Sequence, residues 1–123
     1  MNSYEIFKII LQFIIGLGIF NVWFLRFNKA SKYRGNGAPN MEKEFEAYGL
    51  PKAMMYVVGG LKVLFAIGLM AGVYFEDLVR PSAIGIAVLM MGAILMHIRV
   101  QDEPTKSFPA FLLMAFSLLI LFL

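Results

Sequence analysis

The chain has no cysteine and one histidine, His97, in 123 residues. It can therefore form no disulfide, thiolate metal site or thiol redox couple of its own. A lone imidazole makes neither a conventional zinc site nor a haem-ligand pair, and the carboxylates Glu76 and Asp77 fall on the opposite side from His97, so no metal site is expected. Charge is scarce as well: Asp, Glu, Lys and Arg make up 15% of residues, against about 25% in a typical soluble domain. The net +3 gathers in segments beside apolar runs, which suits anionic lipid headgroups and gives no reason to expect nucleic acid. Gly59-Gly60 is no phosphate loop, because the strand context and the following lysine and hydroxyl residue are missing. No nucleophile stands out, since Ser117 lies in an apolar helix and Ser82 and Ser107 read as helix-start residues.

What the chain has is apolar length. Sixty per cent of residues are hydrophobic and the mean hydropathy is +0.76, far above a soluble domain. Four runs, at about 6–25, 53–75, 81–100 and 108–123, predict an all-α membrane protein, a four-transmembrane-helix bundle forming a single domain over 1–123. The first run has the length of a span and lacks the basic start and small-residue cleavage site of a signal peptide. The last, from Phe108 to Leu123, gives roughly 24 Å at about 1.5 Å per residue and suits a thin or locally adjusted bilayer. Small residues should make the helix contacts. Gly68 and Gly72 form a G-x-x-x-G whose expected use is packing within the bundle, with homodimerisation the alternative.

Between Arg26 and Lys52 the composition turns polar. Asn40 is placed to cap a short helix on which Met41, Phe45 and Tyr48 share a face at i, i+4 and i+7, and Gly49 and Pro51 stop it. An amphipathic segment on the membrane surface is expected there, with a plain packed loop helix the alternative. Lys and Arg number eight on the side of this loop and of the turn 101–106, against two on the other side with Lys62 set apart. That bias places both termini away from the cytoplasm, in the cell's inner (plasma) membrane.

Lys62 lies inside the second span. A lysine at the centre of a membrane helix costs about 2.5–3.5 kcal/mol, so it is either a site residue or a side chain whose stem lifts the amine toward the interface. Helical side chains lean toward the N-terminus of their helix. By that rule Lys62, His97 and Asn21, from three spans, converge at one depth on the loop-one side, with Trp23, Arg26 and Arg99 near the mouth. Asp102 and Lys106 belong to the same mouth. The expected result is an intramembrane pocket on the cytoplasmic side. The bland alternative has Asn21 bonding a neighbouring carbonyl, His97 neutral at the interface and Lys62 reaching up alone.

Trp23 and Phe24 with Arg26, Glu44 and Phe45 with Tyr48-Gly-Leu-Pro51, the run Val58 to Leu69 around Gly59-Gly60 and Lys62, and Met91 to His97 with Asp102 resemble the DoxX-like family of small four-span membrane proteins. The resemblance covers nearly the whole chain. It implies a membrane four-helix fold and a divided set of functions, because the family name comes from a subunit of a thiosulfate:quinone oxidoreductase while a eukaryotic relative is an assembly chaperone for nicotinic receptors. The expectation is a binding or accessory subunit that holds a hydrophobic small molecule, a quinone or a membrane lipid. The alternatives are a component of a quinone-linked oxidoreductase, in which Lys62 and His97 would meet a quinone oxygen and electrons would come from a partner or a bound cofactor, and an assembly factor that packs against a partner membrane protein.

Overall fold

The computed structural model describes residues 1–123 and holds five α-helices and no strand. Helix α1 (Ser3–Phe20) starts where Asn2 Oδ1 accepts the N–H of Glu5 at 2.9 Å and runs on through a π-helical turn, Asn21–Leu25. A loop leads to α2 (Met41–Ala47), capped as its sequence suggests: Asn40 Oδ1 accepts the N–H of Lys43 at 2.8 Å. Gly49, at φ 76°, takes the left-handed turn that ends this helix. Then follow α3 (Lys52–Ala71), α4 (Val79–Arg99) and α5 (Phe108–Phe122). With their flanking turns, four helices are long and apolar enough to cross a membrane: Ser3–Leu25, Lys52–Ala71, Glu76–Arg99 and Pro104–Phe122.

Element ends depart from the hydropathy reading where local hydrogen bonding decides. The second span stops at Ala71 rather than Phe75, because the chain turns back through Gly72–Phe75. α4 starts at Val79, so Pro81 sits in the first turn, where its missing N–H breaks no helical bond. Ser107 makes no side-chain cap: its backbone is already helical at the end of the 3-10 turn Pro104–Ser107 that feeds α5. Ser82 is no start signal either, being buried within α4 against α3.

The helices form a ring in which α1 packs on α3, α3 on α4, α4 on α5, and α5 back on α1. Glycines let side chains nest: Gly68 lies against Ser82 and Gly72 against Val79, so the G-x-x-x-G of α3 is filled by α4 of the same chain. Gly85 likewise receives Phe65, and Gly16 receives Met70. Leu11, Ile15, Ile19, Ala66, Leu69, Ala83, Ile86 and Ile120 make the central core, while Leu17, Leu64, Val88 and Leu95 point outward as a lipid-facing surface would have them. Gln12, 2% exposed, sits in this core and donates from Nε2 to the Leu69 carbonyl at 2.6 Å, an interhelical bond that hydropathy does not reveal.

One end of the bundle gathers both termini and the α3–α4 turn, tied by the ion pair Lys8–Glu76. The other end gathers the long loop, α2 and the α4–α5 turn.

Candidate functional site

At this second end α2 folds over the bundle. Its outer face, Glu42, Lys43 and Glu46, is exposed, and its inner face seats Met41 and Phe45 against Met55, Trp23 and Phe27. The surface helix read from the sequence thus uses its apolar stripe on the protein itself. Glu44 shares that inner face and is buried with it.

Burying a carboxylate requires partners, and Glu44 has three. Oε1 accepts from Arg34 Nη1 at 3.0 Å, and Oε2 accepts from the Gly35 N–H at 2.5 Å and the Tyr48 hydroxyl at 3.1 Å. Arg34, only 5% exposed, also donates to the carbonyls of Arg26 at 2.6 Å and Lys29 at 3.0 Å. Burial first, and then the Glu44 charge, push the Tyr48 phenol well above the ordinary tyrosine range, so it remains a donor.

A second knot joins the cover to the α4–α5 turn. Asp102 accepts from the Asn36 N–H at 2.9 Å and pairs with His97 Nδ1 at 2.7 Å, with Lys106 Nζ 3.8 Å away. Burial alone would raise the Asp102 carboxyl. The bonds from His97 and Asn36 and the charge of Lys106 outweigh it and hold the carboxyl below its ordinary value. Lys106 also donates to the Arg34 carbonyl at 3.0 Å.

Beneath the cover lies a cavity of about 1050 Å³. It runs from α2 down to Ile14 and Leu89, near the midpoints of α1 with its π turn and of α4, and all four long helices contribute to its wall. The part toward the middle of the bundle is apolar, with Leu89, Leu112 and Leu113 and, at its exposed edge, Ile14 and Val88. The part under the cover is polar, with Arg26, Lys32, Arg34, Glu44, Tyr48, Lys62, His97 and Lys106.

The structure brings Asn21, Trp23, Arg26, Lys62 and His97 into the lining. Asn21 is exposed and its side chain bonds no protein group, and the Arg26 guanidinium donates to the Ala30 carbonyl at 3.3 Å. Lys62 stands half-buried with Nζ 5.7 Å from the Trp23 ring centre and no hydrogen bond or ion pair to the protein. The ring comes this close because Gly59 has no side chain in its way. Rings then pass in edge or tilted contact from Trp23 to Phe45, Tyr48 and His97, with centroids 6.1, 5.9 and 6.1 Å apart. Arg99 is placed elsewhere: it is exposed on α4 beside Gly49 and outside the lining.

Arg34, Glu44 and Tyr48 enter the site without having been singled out as polar groups of a pocket. Glu44 carried a usable signal, since it lies three residues after Met41 and four before Tyr48, on the stripe that packs inward. Nothing local marks Arg34, which reads as one more basic residue of a polar loop.

The model of the DoxX-like family matches residues 14–120, nearly the whole chain, and the chain belongs to that family. No curated protein and no solved structure matches it.

Proposed function

We propose that this DoxX-like membrane protein holds an amphipathic small molecule, of quinone or lipid type, in the cavity under α2, and serves as a binding or accessory subunit. The observation that carries the reading is the division of that cavity, apolar toward the bundle centre and polar under α2, with the unpaired Lys62 amine where the two parts meet. Its volume lies just above the roughly 300–1,000 Å³ usual for small-molecule sites, and a few convergent polar groups on an apolar wall are the usual composition. Such a molecule would set its head among the polar groups and its tail along Leu89 and Leu113. The excess of Lys and Arg at the covered end supports reading that end, and with it the head, as cytoplasmic in an inner membrane. Electron transfer would need a redox centre on a partner or a bound cofactor, because no side chain here supplies one.

Trp23 is the only tryptophan and lines the cavity, so its emission reports on the site. Gly18 and Gly92 also line it, and a Cβ on either meets no other atom within 4 Å, so the side chains of Gly18→Phe and Gly92→Phe start in open space beside the cavity. Titrating the purified protein with decylubiquinone and with laurate should give a saturable change in Trp23 emission that both variants abolish. Emission that rises linearly with added amphiphile, or saturates equally in the filled variants, would refute the reading.

A further inference from the structure

Resting on the cavity reading above, we infer that its occupant is an anionic amphiphile, a hydrocarbon chain whose carboxylate or phosphate head meets Lys62, and not a neutral quinone. The charges on the wall carry this. Five cations line the cavity, Arg26, Lys32, Arg34, Lys62 and Lys106, against a single carboxylate, Glu44. Every acceptor direction of that carboxylate used in the structure points to Arg34, Gly35 or Tyr48, none to Lys62. Asp102, the acid nearest the cover on the α4–α5 turn, is engaged by Asn36, His97 and Lys106.

Arg34 and Lys106 are thereby matched from within the chain. Lys62 contacts only the face of Trp23, the Glu44 charge acting on it across space without a bond while paired with Arg34, and Lys32 has only the face of Tyr33 at 5.2 Å. A cation held off water beside apolar walls is disfavoured without a counter-charge, and a neutral carbonyl supplies an acceptor but no charge. Lys62 is also the deepest of the five in sequence terms, rooted near the midpoint of α3 with its amine reaching the Trp23 ring, at the junction of the apolar and polar lining. An acidic head at that junction satisfies Lys62 while its chain fills the apolar part. Carboxylate and phosphate share this chemistry, and the wall accommodates either.

The test is a native mass-spectrometry titration of the full chain in nonionic detergent with four probes of similar tail: laurate, dodecyl phosphate, dodecanol and decylubiquinone. One or both anions should bind at least about tenfold more tightly than dodecanol and decylubiquinone, a factor in the ordinary range for one charge pairing. Whichever anion binds better assigns the head as carboxylate or phosphate. The preference should vanish in Lys62→Met and in Lys62→Gln and persist in Lys62→Arg. Equal binding of all four probes, or a preference that survives both neutral substitutions, overturns the inference. Gly92→Phe separates the two levels of the argument: if it abolishes binding while the four probes bind the parent equally, only the anionic head is lost, whereas if it changes nothing the cavity reading falls with it.

Discussion

Glu44→Gln tests how the cover over the cavity is held. The carboxylate accepts from Arg34 at 3.0 Å, from the Gly35 N–H at 2.5 Å and from Tyr48 at 3.1 Å. Glutamine keeps the shape but has one acceptor oxygen and an NH₂, so at least one of those donors faces another donor. The guanidinium of Arg34 also loses its only carboxylate. Breaking one partner out of a buried ion pair costs about 3–5 kcal/mol, because the other charge stays behind. Arg34 retains the carbonyls of Arg26 and Lys29, which places the cost at the lower end, about 3 kcal/mol. At 1.4 kcal/mol per factor of ten, the segment between Arg26 and Pro51 should open roughly a hundred times more often. Amide hydrogen exchange read by mass spectrometry on the protein in detergent resolves this. Peptides from that segment should exchange about a hundredfold faster in the variant while peptides from α1, α3, α4 and α5 keep their protection. Unchanged exchange in the loop, or an equal loss of protection throughout the chain, would refute the reasoning.

Three further outcomes are expected. Asp102 has a carboxyl held below its ordinary value, so its contribution to holding loop one on the α4–α5 turn is present above the ordinary aspartate pKa of about 3.9 and is lost as pH falls through its lowered folded value; thermal melts of the parent and of Asp102→Asn should differ at pH 7 and converge in strong acid. Gly68→Ala drives a Cβ onto Ser82 and should destabilise the α3–α4 contact by about 1–3 kcal/mol, whereas at Gly60, open on the exposed face of α3, Gly60→Ala should be neutral or stabilise by up to about 1 kcal/mol, as unfolding in detergent would show. Gly59→Leu pushes the Trp23 ring off its seat beside Lys62 and should shift the emission of this single tryptophan in the absence of any added amphiphile.

The four spans were readable because membrane helices announce themselves by apolar length, and the pairing of Asn40 with the Met41, Phe45, Tyr48 stripe was readable because cap and period agree. The π turn at Asn21–Leu25 was not, since no proline or glycine marks it, although it forms the section of chain that carries Trp23 toward Lys62. Side-chain lean placed Lys62, Asn21 and His97 toward one end, and the structure sets all three in one cavity wall. The same rule says nothing about the azimuth of a side chain around its helix, and Arg99, two residues after His97, therefore sits outside that wall. The ion pair of Arg34 with Glu44 depends on a loop of ten residues closing on itself, which no local pattern encodes. Gln12 was legible in principle by the argument applied to Lys62, a polar group in a span that must find a partner.

The central claim, an amphiphile lodged under α2, is met most directly by a native mass spectrum of the protein released from its own membrane in mild detergent. The parent chain should carry a single added mass, that of an amphiphile, and the Gly18→Phe and Gly92→Phe variants should appear as the bare polypeptide. A parent chain that is released bare, or filled variants that retain the same added mass, would contradict the account.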